Sequence, residues 1–294
     1  MKTFFSAVRN KAFVFSAEIF LRPATTAEMI SVQTQLLQPY VDGIMVTDNQ
    51  DGRLHLSPLA AASLVQANGV DPIVQLTCRN RNRIALLAEL LGAATLGVTS
   101  LVLVRGNRVP DGFNPRPRAV FDVDATELIA MASNMTEDEC LPSLPDLFVG
   151  SIITPHAPKP GWVPEKLNTK ADAGAQFAQT HICMDPELMS NYMKFLVAAG
   201  LPRRMRIFVS LVVASSAEDA RWLRNHLPNN HVPDSVIKRL EQAANPEQEG
   251  VNICAEQIQA LAGIPGISGV HLVATQNLAT INAAIELAGY GPAN

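Results

Sequence analysis

Six short stretches of the chain carry residue types suited to acid–base or anion-binding chemistry. Glu18 lies inside "FVFSAEIFLRP" with apolar neighbours on both sides. A carboxylate held there would be desolvated, which raises its pKa toward the range of a general acid. A glutamate on the solvent side of a short strand, or one paired with an arginine, fits the same letters. "SLVLVRGNRVPDG" runs from Ser100 to Gly112, and its five nearly uninterrupted apolar positions stop at Arg105, Gly106, Asn107 and Arg108. Thr47, Asp48 and Asn49 form a polar cluster that also reads as an ordinary turn. Gln75 and Thr77 close one apolar run, and Thr180 and His181 close another. Lys170, in "KADAGA", could hold a phosphate, although most such lysines are simply exposed.

Other polar residues favour the plainer reading. Arg79, Arg81 and Arg83 in "LTCRNRNRIALL" suit a solvated or inter-subunit ion-pair face at a helix entry. His156 and His181 are not spaced as a metal pair, and the four cysteines (Cys78, Cys140, Cys183, Cys254) form no CxxC motif. Reduced thiols and no metal site are the expectation, with disulfides or a structural metal as the lesser alternative.

The elements that must position these residues are legible as alternation. Candidate strands cover 12–18, 43–47, 72–77, 101–105, 147–153, 176–182, 206–211 and 269–274. Several are apolar almost throughout, as strands buried on both faces of a parallel sheet must be. Amphipathic stretches lie between them, such as "RIALLAELLGAATLG" and "DPELMSNYMKFLVAAG". The second begins with Asp185 as N-cap and Pro186 at the first helical position. Eight strands alternating with helices imply an α/β fold, a (β/α)8 TIM barrel with extra helices between strands seven and eight. A doubly wound sheet is the alternative, but no G-x-G-x-x-G follows any strand. Residues 1–294 are read as a single catalytic barrel domain. In a barrel the chemistry belongs at the C-terminal strand ends, where Glu18, Asp48, Gln75, Thr77, Arg105, Asn107, His156, His181 and Gln276 fall. The proline-rich "PHAPKPGWVPEK" is a candidate active-site loop.

Composition narrows the class. Hydrophobic residues make up 48% and charged residues 17%, a well-cored globular balance. The formal net charge of −4 and the 5% aromatic content argue against a nucleic-acid or anionic-membrane partner. Arg9, Asn10 and Lys11 interrupt the apolar N-terminus before it reaches signal-peptide length. No stretch approaches the ~18 apolar residues of a membrane span, so a cytoplasmic protein is expected.

The motifs "FSAEIF", "VTDNQ", "QLTCRNRNRIALLAELLGAATLG", "VLVRGN", "KADAGAQFAQTHICMD" and "VPDSVIKRLEQA…EGVNICAEQIQAL…GVHLV" occur in one order along nearly the whole chain. In that order and spacing the sequence resembles the 5,10-methylenetetrahydrofolate reductases, in their bacterial branch and without the regulatory extension of eukaryotic members. The resemblance implies a TIM barrel that binds FAD and takes NADH or NADPH as co-substrate. The implied reaction gives 5-methyltetrahydrofolate, placing the chain in one-carbon metabolism and methionine biosynthesis. Hydride passes to the flavin, then to the exocyclic carbon of methylenetetrahydrofolate, whose ring must first open to an iminium cation by protonation at N10. Glu18 corresponds to the family's acid for that step. Thr47, Asp48, Gln75, Arg105, Gly106, Asn107 and Lys170 correspond to the cofactor site, Gly106 allowing close approach of the cofactor. Asn107 and His181 correspond to positions that meet folate. Thr180 and Asp185 fall in the family's strand-six motif.

Two departures mark this chain. Asn107 stands where the family usually has an aspartate, and His181 where it usually has a glutamine. At an effective dielectric near 20, a unit charge ~4 Å away contributes about 4 kcal/mol, so loss of that aspartate alters both flavin and iminium energetics. A homo-oligomer is expected, with a partner reductase or methyltransferase as a further expectation. The rival reading is a paralogue that keeps the barrel and binds folate or a partner protein without flavin chemistry.

Overall fold

The computed structural model describes residues 3–109, 112, 114–135, 145–227 and 229–292. Eight parallel strands close on themselves: β1 (Val14–Glu18), β2 (Gly43–Val46), β3 (Pro72–Thr77), β4 (Ser100–Val104), β5 (Phe148–Ile153), β6 (Phe177–Ile182), β7 (Arg206–Val213) and β8 (Ile267–Ala274). The order around the barrel is the chain order, and β8 returns to pair with β1, Ser16 opposite His271. The (β/α)8 architecture expected from the alternation is the one observed. Each expected strand is present, its ends moved by no more than two residues. Cys140 lies outside the described residues; Cys78, Cys183 and Cys254 are free and buried.

Eleven helices are described: α1 (Phe4–Asn10), α2 (Ala27–Leu37), α3 (Pro58–Ala67), α4 (Arg83–Thr95), α5 (Ala125–Asn134), α6 (Glu165–Asp172), α7 (Pro186–Ala198), α8 (Ala217–His226), α9 (Asp234–Gln242), α10 (Pro246–Ala262) and α11 (Ala279–Leu287). Their starts follow local chemistry. Thr26, Asn82, Asp185, Ser216 and Asn245 each accept a backbone N–H as N-caps, and Asp124 and Glu127 form a capping box. Helices α8, α9 and α10 all lie between β7 and β8, as expected for the elaborated seventh excursion.

Two apolar layers hold the barrel. One lies between strands and helices, with Ile30, Leu86, Leu128, Leu196, Ile258 and Ile281 among its fully buried members. The other fills the barrel's lower interior, where α1 acts as a plug. The Phe4 ring sits 5.4 to 6.0 Å from Phe208, Phe177 and Phe148. Gly150 on β5 makes room for this cluster, since a Cβ there would lie 2.3 Å from the Phe177 ring. Asp71 fastens the plug from the start of β3, accepting from the Phe4 N–H at 2.7 Å and the Ser100 hydroxyl at 3.0 Å. Burial pushes the Asp71 carboxyl above its ordinary value, partly offset by those hydrogen bonds. With the lower interior filled by rings, the barrel opens toward the upper mouth.

Candidate functional site

At the C-terminal ends of the strands a cavity of about 380 Å³ opens between the barrel interior and the loops. Its size is that of a small-molecule site. Among the sequence-derived candidates, Glu18, Asp48, Asn49, Gln75, Thr77, Arg105, Gly106, Asn107, Lys170, Thr180 and His181 line it. Thr47 does not. Its buried hydroxyl lies 3.4 Å from His55 Nε2, behind the β2 end. His156 also turns away, packing on Trp162 and Tyr192 with ring centroids 4.8 and 5.1 Å apart, so the proline-rich loop docks on α7. Thr180 and Asp185 serve the framework: Thr180 accepts from the Ser210 N–H, and Asp185 caps α7. Gln276 is exposed and reaches Asp219 at 3.4 Å.

Asp48 is the hub of the β2–β3 side. It is fully buried, accepts from the Thr77 N–H and hydroxyl at 2.8 and 2.9 Å, and pairs with Arg81 at 2.6 and 3.3 Å. These donors fix the side chain in one orientation. Arg79 is 2% exposed and donates to the Asp48 and Asn49 carbonyls at 3.3 and 2.7 Å. The sequence reading assigned all three arginines to a helix-entry ion-pair face, and only Arg83, paired with Asp122 at 3.0 Å, behaves so. The difference lies in the cap: Asn82 starts α4, which leaves residues 79 and 81 on the strand-to-helix loop and free to turn inward.

Gly106 follows β4 with φ +83, a left-handed conformation that favours glycine. A Cβ there would meet the Thr77 and Arg79 Cβ atoms at 3.0 and 3.1 Å. The close approach that the sequence reading gave to a cofactor is made by the chain's own β3 end. Arg105 is exposed, with its guanidinium 4.2 Å from the Phe121 ring centroid.

On the adjoining β5, Lys170 reaches from α6 to donate to the Ile152 carbonyl at 2.7 Å. Burial holds its amine below the ordinary lysine value, aided by Lys166 and opposed by Asp124. His181 is half-buried at the top of β6. Burial, with the Lys170 ammonium adding to it, keeps its imidazole below the usual histidine value, so the ring is neutral at pH 7.

Among the cavity residues that the sequence reading missed, one is a buried histidine. His271, mid-strand in β8, is 1% exposed, with Nδ1 3.0 Å from the Ser16 hydroxyl. Its buried Nε2 has no hydrogen-bond partner in the structure and lies 4.0 Å from Glu18 Oε2. The charged residues lining the cavity are thus Glu18, Asp48, Arg79, Arg105 and Lys170, and Arg81 already balances Asp48. The excess is positive, an arrangement that suits an anionic ligand with one free carboxyl nearby to handle a proton.

Residues 3–289 match the family model for methylenetetrahydrofolate reductase. No curated protein matches the chain at a significant level. Among solved structures, one similar fold is an uncharacterized protein from Clostridium thermocellum, described as binding two copies of 5-methyl-5,6,7,8-tetrahydrofolic acid. The identity is 12%, the coverage 97% of each chain and the TM-score 0.65. That likeness concerns the fold; the family match spans nearly the whole sequence, and the chain belongs to the methylenetetrahydrofolate reductase family.

Proposed function

We propose that this protein reduces 5,10-methylenetetrahydrofolate to 5-methyltetrahydrofolate, using NADH or NADPH through bound FAD. The observation that carries the reading is Glu18, a half-buried carboxyl on the cavity wall whose side chain remains 14% exposed, as a proton donor to bound substrate must. The residues present fit the FAD that the family implies. Arg105 after β4 and Lys170 against the adjoining β5 line one cavity and supply cations for a dinucleotide's phosphates, with Gln75, Gly106 and Asn107 also in its lining. When bound, the flavin supplies hydride transfer from the nicotinamide to the folate's exocyclic carbon.

The chain's own residues do the rest. Glu18 gives its proton to N10 and opens the folate ring. Neutral His181 offers a donor or an acceptor to the pterin edge without adding charge. The Asp48–Arg81–Thr77 lock keeps the β2–β3 wall rigid while ligands exchange. The positive excess around the cavity favours anionic groups and, without a carboxylate at 107, leaves Glu18 as the unneutralised negative side chain facing the iminium cation.

A second reading, folate binding without flavin chemistry, is favoured by Asn107 and His181 together. The two separate in one experiment. Glu18→Gln is expected to lower folate reduction by at least ~100-fold, the usual scale for a lost general acid, while NAD(P)H still reduces the flavin within about twofold. Equal loss of both half-reactions would contradict the acid role.

A further inference from the structure

We infer that two copies of this chain meet through α2 and α11, in a twofold interface centred on Val32. On α2, Met29, Val32 and Leu36 are 47%, 60% and 38% exposed. Spacings of three and four residues put all three on one helix face. Leu287 on α11, 52% exposed, adds a fourth apolar side chain from the neighbouring helix. The two helices are tied together: Asn282 donates to the Leu36 carbonyl at 2.7 Å, and the Tyr40 hydroxyl donates to Glu286. On the other flank Asn68, at the end of α3, donates to the Ser31 hydroxyl at 3.0 Å and accepts from Gln35 at 3.2 Å. Helices α11, α2 and α3 therefore form one continuous wall.

The chemistry of the wall says what covers it. Glu28 and Glu286 are the only charged residues in these three helices. By contrast α8, α9 and α10 dress their surfaces with ion pairs, Arg221 with Glu241, Arg224 with Asp234 and Arg239 with Glu256. A strongly charged partner finds no countercharge on the wall. A second copy needs none, because a twofold interface sets one patch against itself, and an uncharged apolar patch is complementary to itself. The formal net charge of −4 makes two copies repel where acidic faces meet, which favours contact through a charge-poor side. Ala60 on α3 and Ala283 on α11 are exposed and small, so the flanking helices do not hold a copy away from α2. Eleven residues make α2 about 16 Å long, and its neighbours at ~10 Å spacing widen the wall to about 30 Å. That projected face of roughly 500 Å², with its corrugated side chains, is on the scale of the ~800 Å² of accessible surface that each partner buries in a stable dimer.

Sedimentation-velocity ultracentrifugation of the full chain, from about 1 to 100 µM, tests the interface whichever ligand the cavity takes. The unmodified protein is expected to reach at least two chains per particle at the upper end. Val32→Glu sets two like charges against each other across the twofold axis and weakens association at least ~100-fold. Leu287→Glu, on the neighbouring helix, shifts the equilibrium the same way and carries the test if Val32→Glu fails to fold. Val197→Glu makes the same exchange at a 46% exposed site on α7 and leaves the assembly intact. A far-UV circular dichroism spectrum matching that of the unmodified protein shows that each variant is folded. An unmodified chain that stays monomeric at 100 µM overturns the interface and leaves the wall to another occupant. An assembly that survives Val32→Glu, or that Val197→Glu breaks equally, overturns it as well.

Discussion

Lys170 and His181 share a cavity, and the amine helps to keep the imidazole neutral. Lys170→Met removes the charge and leaves the burial, so the His181 pKa should rise while remaining below the ordinary histidine value. An NMR titration of the His181 ring reads this directly, and an unmoved titration would show that the two groups do not interact. Asn107 carries the larger consequence. On the proposed function, a carboxylate there would add a negative charge beside the flavin and the iminium. Asn107→Asp is therefore expected to lower the flavin potential and to speed the folate half-reaction about tenfold or more, roughly 1.4 kcal/mol of barrier. A potential identical to that of the unmodified protein would place residue 107 away from the flavin. Most of these residues were legible because they lie at or just past the end of apolar runs: Glu18 ends β1, Arg105 and Asn107 follow β4, and His181 is next to last in β6. His271 was not. It sits between Val270 and Leu272, and only the closing of β8 onto β1 shows that it faces Glu18. Thr47 misled for the opposite reason, since a polar letter at a strand end does not say which side of the sheet it takes.

At the scale of elements, the barrel's two ends have separate tasks. The lower end is sealed by α1, a helix of seven residues held by Phe4 in the aromatic cluster and by Asp71 at its N-terminus. Asp71→Ala strips the Phe4 N–H and the Ser100 hydroxyl of their acceptor. It should cost about 1–3 kcal/mol in urea unfolding and leave ligand binding at the upper mouth intact. A variant as stable as the unmodified protein would mean that the plug is held by its rings alone. The pH dependence has a definite sign. The folded carboxyl is raised above 3.8, so its contribution is most favourable below that pH and is lost as pH rises through the folded value. Asp71→Asn should therefore gain on the unmodified protein as the pH is raised from below 4. The strands were readable as apolar runs because both faces are buried. The arginines after β3 were not readable, because their direction depends on where α4 starts, and one cap residue, Asn82, decides that.

For the whole molecule, a (β/α)8 barrel alone supports many chemistries, so the function has to come from the site it carries. Here the lower interior is packed with rings, and the upper mouth holds a cavity with excess positive charge in which Asp48 is paired with Arg81 and Glu18 lies 4.0 Å from a buried histidine. Among the described residues no helix is long and apolar enough to cross a membrane. The eightfold alternation was legible because each βα unit repeats one pattern of buried strand and half-buried helix. The identity of the ligand was not, since it depends on side chains that meet from strands far apart in sequence. The most direct test of the central proposal is the visible spectrum of the purified protein. We predict bound flavin whose absorbance bleaches on addition of NADH or NADPH and recovers on addition of 5,10-methylenetetrahydrofolate. A colourless protein that takes up no added FAD would contradict it.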